Sequence, residues 1–575
     1  MEVLVKNSKK KVESERLSGS EAILRCLINE GVNTIFGYPG GAIMPVYDAL
    51  YDYEAQLKHV LVRHEQGAIH SAQGFARSSG EVGVCLATSG PGATNLITGI
   101  TDAQIDSTPI VCITGQVASH LLGSDAFQET DIIGISMPVT KWNFQVTRPE
   151  EIPEALAKAF YIAQSGRPGP VLIDITKDAQ QAFFDFTYEP CERIRSYQPY
   201  PELNEEPLRA AAELINKAKK PYLLFGQGVI LSGAEKELKA FIEKTGIPAA
   251  STLLGLSAFS TRHPLYVGYT GMHGNYGPNL KTNECDVFIA IGMRFDDRVT
   301  GDVNTYAKQA KVIHIELDPA EINKNIPADV AINGDAKQAL QSLLPLVDKK
   351  SHDEWLKEFR ECDMVEMDKA IRKSIQPKSK LMTMAEVIHK LSEKTHGKSV
   401  VVTDVGQHQM MAGRYYKFDQ VKSHITSGGL GTMGFCLPAA IGAKIGKPNR
   451  EVIAIIGDGG FQMTIQELGV IMQYQIGVKI LILNNSFLGM VRQWQQLFFD
   501  RRYSFTEMDN PDFIKIAEGY RIPSQRVHER EDLDDAFNQW LNPEGASLLE
   551  VVVEKEENVF PMVPSGSCVS KIRLD

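Results

Sequence analysis

Short apolar runs recur along the chain, each ended by glycine or a polar residue and followed by a longer segment of helical period. HVLVR (59–63), VGVCLATSG (82–90), PIVCITG (109–115) and PVLIDI (170–175) come first. PYLLFG (221–226), DVFIAIG (286–292) and KVIHIEL (311–317) form a middle group. SVVVTDVG (399–406), EVIAIIGDG (451–459), VKILILNN (478–485) and SLLEVVV (547–553) form the last. Continuous apolar runs of this length suit parallel strands buried on both faces, and the spacers suit βαβ crossovers. The predicted class is α/β, with doubly wound parallel sheets. Gly, Asp, Asn and Thr at the strand ends gather polar groups on the edge where open α/β sheets bind ligands.

Two stretches interrupt this pattern. Residues 186–206 are rich in proline and charge without a period, and residues 348–382 are charged, helical or extended. They divide the chain into three expected domains, 1–190, 200–350 and 380–560. No short-period repeat is visible. CLATSGPGATN and AIIGDGGFQMT nevertheless share a strand, glycine turn and helix, which hints at related folds.

Composition narrows the partners. The 575 residues are 43% hydrophobic and 23% charged, an ordinary globular balance. A net charge of −11 argues against nucleic acid as a partner, because a phosphate-tracking surface needs a basic excess. Eight scattered cysteines without a CxxC pair fit a reducing compartment and argue against zinc or a disulfide framework. The N-terminal MEVLVKNSKKKVESERLSG has no apolar signal core, and no run approaches the roughly 18–20 apolar residues of a membrane span. A cytoplasmic protein without membrane association is expected.

IAIIGDGGFQMT carries the first chemistry. An apolar run breaks into Gly457-Asp458-Gly459-Gly460 without the lysine of a nucleotide-triphosphate loop. The next strand ends in Asn484-Asn485, and 27 positions separate Asp458 from Asn485. That is one crossover, so both polar ends should emerge on the same sheet edge. A carboxylate and an amide oxygen favour a hard cation, and two protein ligands plus substrate phosphates is a habit of Mg²⁺. The glycines let main chain approach a diphosphate. GDG alone would read as a tight turn; the asparagine pair at crossover distance changes that.

The span GDGGFQMTIQELGVIMQYQIGVKILILNNS resembles the signature of thiamine diphosphate (ThDP)-dependent enzymes. The resemblance implies metal binding by Asp458 and Asn485 side chains and by the main-chain carbonyl of Phe487. It also implies three α/β domains of the ThDP-enzyme type. Such an enzyme needs a glutamate facing the aminopyrimidine ring to favour the imino tautomer. Glu65, in RHEQGA after a strand, resembles that residue, although alone it would read as an acid at a helix N-terminus.

Further stretches in the same order resemble the acetolactate synthase (acetohydroxyacid synthase) catalytic subunits. They include IFGYPGGA (35–42), TSGPGATN (88–95), SDAFQE (124–129), GMHG (271–274), RFDDRVTG (294–301), DVGQHQM (404–410), SGGLGTMGF (427–435) and GMVRQWQ (489–495). The family decarboxylates pyruvate on ThDP and transfers the hydroxyethyl group to a second pyruvate or to 2-oxobutyrate. This is the first common step of valine, leucine and isoleucine biosynthesis. The resemblance makes Met433 the wedge that bends ThDP, with Gly431 on the pyrimidine side. Gln407 and His408 fall among diphosphate contacts, and Leu488, Gly489 and Met490 among further cofactor contacts. Gly40 offers an N–H to a developing oxyanion. Phe127 and Gln128 resemble substrate-side residues of a neighbouring subunit. Arg298 resembles the arginine that takes the second oxoacid's carboxylate, for which a planar fork is suited. Trp494 resembles the residue that favours 2-oxobutyrate. Met433 and Trp494 would otherwise read as core packing.

The middle domain resembles an FAD domain. Arg167, Gly226 and Gly228, then Thr252 and Leu253, fall where flavin contacts occur. So do Met272, His273, Arg294 and Asp297, and finally Glu316 and Asp318. The family reaction has no net redox, so bound FAD would be mainly structural. A homodimer or tetramer is implied, since the family brings the domains of Glu65 and Asp458 together across a subunit interface. Whether a regulatory small subunit binds stays open.

Three departures stand out. Ala118-Ser119-His120 replaces a frequent Pro-Arg, Glu316 stands where Asp is common, and the C-terminal PSGSCVSKIRLD drifts from the usual ending. The competing readings are a flavin-reducing pyruvate oxidase, a simple 2-oxoacid decarboxylase and a non-catalytic homologue. RFDDRVTG and Trp494 count against the oxidase, flavin-type contacts against the decarboxylase, and Glu65, Asp458 and Asn485 against the homologue.

Overall fold

The structure, a computed structural model, describes residues 15–575. Residues 1–14, most of the polar stretch expected to lack a signal core, lie outside the described residues. No helix among the described residues is long and apolar enough to cross a membrane. The chain forms two compact units. One holds residues up to 72 with 82–164 and 169–197; the other holds 73–81, 165–168 and 198–575.

The first unit contains β1 (Glu15–Ser18), β2 (Thr34–Gly37), β3 (Lys58–Leu61), β4 (Gly83–Ala87), β5 (Ile110–Gln116), β6 (Trp142–Val146), β7 (Pro170–Thr176) and β8 (Phe183–Phe186). β1 and β8 pair as an antiparallel ribbon. The other six form a parallel sheet in the order β3-β2-β4-β5-β7-β6. Every residue of β4, β5 and β7 is buried, as strands covered by helices on both faces require.

The second unit contains two sheets. The middle one is built from β9 (Pro221–Phe225), β10 (Ala249–Ser251), β11 (Tyr266–Tyr269), β12 (Val287–Ile291), β13 (Lys311–Glu316) and β14 (Val330–Asn333). The last is built from β15 (Val400–Thr403), β16 (His424–Thr426), β17 (Val452–Gly457), β18 (Val478–Asn484), β19 (Ser524–Val527) and β20 (Ser547–Val552). Their strand orders are β11-β10-β9-β12-β13-β14 and β16-β15-β17-β18-β20-β19, and all pairs are parallel.

Strands counted within each sheet run 2-1-3-4-6-5 in both the first and the last sheet. The weak sequence echo thus marks the third strand of the same topology, β4 in one sheet and β17 in the other. The middle sheet runs 3-2-1-4-5-6, the order of dinucleotide-binding sheets.

All eleven predicted apolar runs form strands. The strands that periodicity misses are short, three to five residues, and most lie at sheet edges. β6, β11, β14 and β19 are edge strands with half-buried patterns, so no continuous apolar run announces them. β2 and β10 lie inside their sheets but span only four and three residues.

Helices follow local rules. Asn204 caps Glu205–Lys217 by accepting the Glu206 N–H at 3.0 Å, and Leu208, Ala211, Ala212 and Ile215 bury one face. The charged stretch 348–382 is helical over Asp353–Glu366 and onward to Ile375. Its Glu366 is buried and pairs with Arg414, accepts from Tyr276 N at 2.7 Å and from Asn275 Nδ2 at 3.1 Å. Arg414 also donates to the His273 and Gly274 carbonyls, so neither buried charge is left unpaired.

The helix Met384–Lys394 is capped by Thr383 and receives the C-terminal tail: Glu557 Oε2 accepts the Met384 N–H at 2.8 Å. Glu557 Oε1 is sealed from solvent without a partner. Burial pushes this carboxyl up to about 8, whereas an unfolded glutamate ionises near ~4.3. Its neutral form contributes stability that is full below the unfolded value and lost as pH rises through about 8. Glu557→Gln keeps an acceptor for Met384 without the ionisation cost. Its advantage in melting temperature over the unmodified protein should therefore grow from about pH 5 to about pH 8 and then level off. Scanning fluorimetry across pH measures this, and parallel melting curves would contradict it.

Candidate functional site

In the last sheet β15 and β17 are neighbours although first and third in chain order, so their connections leave in opposite directions and open a crevice at the carboxyl edge. Gln407 and His408 begin the helix after β15, and Asp458 begins the helix after β17. Asp458 is buried, and burial pushes its carboxyl up to about 6 against the Asn510 amide and the main-chain N–H groups of Asn485 and Ser486. Asn510 Nδ2 lies 2.7 Å from Asp458 Oδ2. The parallel pairing of β17 with β18 brings Asn485 to the same edge, as the crossover spacing requires.

Asn485 Oδ1 accepts the Phe487 N–H at 3.3 Å, and Asn485 Nδ2 lies 3.5 Å from Gln407 Oε1. A Cβ on Gly489 would run into that Gln407 oxygen and sit 2.8 Å from Asn485 Nδ2, so only glycine fits where the two amides meet. Gln407 Nε2 is held by Gln493 Oε1 at 2.9 Å and by the Glu557 carbonyl at 2.6 Å. His408 is buried against Gly457, its ring pushed down to about 4 by desolvation, and its Nε2 has no partner. An anion beside that nitrogen would favour the imidazolium and supply an acceptor.

Met433 is half-buried, and its Cε lies 3.7 Å from where a Gly459 Cβ would stand; Leu488 Cδ2 lies 2.7 Å from the same point. Gly434 N donates to both Asp404 oxygens, at 3.0 and 3.1 Å, which fixes the loop carrying Met433 and the exposed Gly431. Asp404 is buried and pushed up to about 7. Trp494 is half-buried on the helix Gly489–Phe498 and packs on Phe498 with ring centroids 5.0 Å apart. Met490, on the same helix, packs against the core of this sheet.

In the first unit Glu65 is buried at the start of the helix Glu65–Ser79. Asn95 Nδ2 donates to its Oε2 at 2.9 Å. Gly92 and Thr88, from the turn after β4, flank the other oxygen: a Gly92 Cβ would be 3.2 Å from Glu65 Oε1 and 2.8 Å from Thr88 Cγ2. Gly40 packs on the same Thr88, whose Oγ1 accepts the Ala42 N–H at 3.2 Å. Gln128 lies against Gly90 at the start of that turn, while Phe127 is 89% exposed. Their loop is pinned by Gln116 Nε2, which donates to Thr130 O at 3.0 Å and to Asp174 at 3.1 Å. Glu65, Gly40 and Gln128 thus gather around Thr88–Asn95.

The middle sheet turns at β9 and β12. Gly228 N donates to Gly292 O at 3.0 Å, and a Cβ on Gly228 would lie 2.6 Å from Gly292 Cα. Thr252 Oγ1 accepts the Gly255 N–H at 3.1 Å, and a Gly226 Cβ would lie 2.7 Å from Met293 Cβ. Leu253 packs at the edge of the last sheet's core. Glu316 ends β13 and is pushed up to about 7 by burial, and its Oε1 accepts the Asp318 N–H at 3.1 Å. Arg167 Nη1 donates to Asp318 at 3.1 Å and to Glu321 at 2.9 Å. Buried His273 is pushed down to about 3 and leaves Nδ1 without a partner. Arg298 and the exposed Asp297 start a four-residue helix after half-buried Arg294. The Arg298 carbonyl accepts the Met272 N–H at 2.7 Å, while its guanidinium is largely exposed.

Sequence reasoning overlooked Asn95, Asp404, Glu321, Gln493 and Asn510. Asp404 ends an apolar run, so strand-end position could have found it, whereas Asn95 lies beyond its strand, at the end of the helix Pro91–Asn95. Asn510 stands 52 positions from Asp458 in a loop, where no spacing rule reaches it.

Known proteins bear on these sites. Three family profiles match: the thiamine pyrophosphate enzyme N-terminal TPP binding domain over residues 17–135, the central domain over 208–343 and the C-terminal TPP binding domain over 404–551. The probable acetolactate synthase large subunit of Methanocaldococcus jannaschii is 46% identical, over 97% of this chain and 95% of its own length. The acetolactate synthase large subunit of Corynebacterium glutamicum is 47% identical, over 97% of this chain and 90% of its own. The isozyme 2 large subunit of Escherichia coli is 46% identical, over 97% and 99%. At this identity and coverage, the chain belongs to the acetolactate synthase large-subunit family of thiamine pyrophosphate enzymes.

Proposed function

We propose that the chain decarboxylates pyruvate and joins the two-carbon fragment to a second pyruvate or to 2-oxobutyrate, with ThDP, Mg²⁺ and FAD bound. The observation that carries the reading is Asp458 and Asn485 at the ends of neighbouring parallel strands, beside the unpartnered His408 Nε2. A diphosphate suits that crevice. It would supply acceptors for His408, and Asp458, Asn485 and the Phe487 carbonyl would hold a divalent cation that neutralises it. ThDP, when bound, supplies the electron sink for decarboxylation. Glu65, oriented by Asn95, holds a proton for the aminopyrimidine side, and Met433 supplies an apolar prop against the ring. The 3-2-1-4-5-6 order and the glycine contact at β9 and β12 support FAD in the middle sheet.

Substrate selection falls to Arg298, whose exposed fork suits a carboxylate, and to Trp494 on the apolar side, with Phe127 contributed by a second copy of the chain. A homodimer or tetramer fits the family reading, and the relatives' description as large subunits supports a small regulatory partner. Product analysis from pyruvate with ThDP, Mg²⁺ and FAD tests the function. Acetolactate should dominate, with 2-aceto-2-hydroxybutyrate appearing when 2-oxobutyrate competes. Acetaldehyde as main product, or net flavin reduction, would overturn the reading.

Two variants test roles. Glu65→Gln keeps an acceptor for Asn95, so melting temperature and flavin content should hold while kcat falls about 10²–10⁴-fold, the usual scale for a lost acid–base group. Near-normal turnover would remove Glu65 from the chemistry. Arg298→Ala should raise the half-saturating concentration of the second oxoacid and divert product toward acetaldehyde. Equal loss of decarboxylation and carboligation would count against its role.

A further inference from the structure

Asn484, the first of the asparagine pair, and Asn510, in MDNPDF, have no part in the reading above. Asn510 Nδ2 donates to Asp458 Oδ2 at 2.7 Å and to Asn484 Oδ1 at 3.0 Å. Its Oδ1 accepts Gln462 Nε2 at 2.9 Å, and Gln462 lies on the helix that Asp458 begins. Asn484 Nδ2 donates to Glu550 Oε1 at 2.7 Å, and the other Glu550 oxygen pairs with Arg526 Nε at 2.7 Å. Arg526 reaches Asp512 Oδ1 at 2.9 Å, which caps the helix Phe513–Gly519.

An amide can usually be turned end for end when its neighbours both donate and accept. Here that freedom is absent. The Arg526-paired Glu550 carboxylate only accepts, so the Asn484 NH₂ must face it and its Oδ1 must face Asn510 and the Ser486 N–H, 3.0 Å away. At the other end the Asp458 carboxylate accepts, and Gln462 holds the Asn510 carbonyl. Every amide in the relay has one direction.

We propose that Asn510 is a positioning residue for the cation site. It claims Asp458 Oδ2 and so turns the carboxylate to present Oδ1 alone to a divalent cation, with Asn484 and Gln462 fixing its own orientation. Single-oxygen ligation suits the tight octahedron of Mg²⁺, whereas Ca²⁺ accepts bidentate carboxylates and more ligands. The relay therefore also favours Mg²⁺ over Ca²⁺. This inference rests on the Mg²⁺ reading of Asp458.

The test uses the full chain, stripped of cation and saturated with ThDP, with Mn²⁺ as probe followed by the electron-spin signal of the free ion, and with Mg²⁺ and Ca²⁺ as competitors. Asn510→Leu should weaken Mn²⁺ binding about 10–100-fold, the usual scale for a lost outer-shell partner of a metal ligand. It should also shift competition toward Ca²⁺, and the loss of Mn²⁺ affinity should exceed what any fall in the melting temperature of the cation-free protein accounts for. If that variant does not fold, Gln462→Leu, which unpins the amide and gives up a 3.3 Å bond to the Asp458 carbonyl while leaving Asn510 in place, should shift both readouts in the same direction. Unchanged affinity, an unchanged Mg²⁺/Ca²⁺ ratio, or affinity lost only in step with cation-free stability would overturn the proposal. Asp458→Asn separates the two readings. If it retains full cation binding, the Mg²⁺ site itself is wrong; if it loses the cation while folded Asn510→Leu keeps it, only the positioning role fails.

Discussion

Burying a carboxylate at the end of a parallel strand is costly unless donors and a counter-charge gather around it, and Asp458 is such a group. The local sequence follows from that constraint. A glycine-flanked turn lets main-chain N–H groups approach, the next strand delivers Asn485 and Ser486, and a loop side chain, Asn510, occupies one oxygen. Desolvation still wins in the protein alone, holding the group near 6. A bound divalent cation reverses that balance, because the ion becomes the largest local charge. The same carboxylate can therefore be tolerated in the fold and still serve the cation proposed for it.

The strand-order reversal decides where this compensation can happen. Where two neighbouring strands send their connections to opposite faces, the carboxyl edge is left uncovered by crossover helices. The last sheet uses that gap for Gln407, His408 and Asp458. The first sheet, with the same 2-1-3-4-6-5 order, places Gly40 and the Thr88–Asn95 turn at the corresponding strand ends, with Glu65 after the second strand. One topology thus supports two different arrangements, the crevice proposed for a diphosphate and its cation in one copy and a carboxyl group oriented by an asparagine in the other. The 3-2-1-4-5-6 sheet brings Gly228 against Gly292 at its own reversal.

What the sequence disclosed follows from how local each signal is. Long buried strands write themselves as apolar runs, so β4, β5, β7, β17 and β18 were visible, as was the pairing of Asp458 with Asn485 through one crossover. Edge strands such as β6 and β19 alternate poorly and are half-exposed, so packing rather than pattern defines them. The site divides in the same way. Glycine turns and the strand-end acids Asp458 and Glu316 are local, and they were readable. Asn95 acts on Glu65 from 30 positions away and Asn510 on Asp458 from 52, and such contacts depend on three-dimensional closure.

Arg298 illustrates how the fold can make one residue both fixed and free. Its carbonyl is tied to Met272 N at 2.7 Å and its helix is capped by Asp296, so the main chain at this point is held. Among the described residues the guanidinium meets the Met272 sulfur at 3.8 Å and Asp297 loosely at 3.8 Å, and it stays largely in water. A solvated ion pair of that kind contributes little, on the order of 0–1 kcal/mol. Arg298 can therefore exchange its Asp297 contact for an incoming carboxylate at small cost, gaining a bidentate partner as water leaves. Arg167 and Arg414 differ, since each is committed to buried or half-buried carboxylates of its own chain. Of these three arginines, the one without a close carboxylate partner is the one proposed for the second oxoacid, and its loose ion pair is what makes that exchange inexpensive.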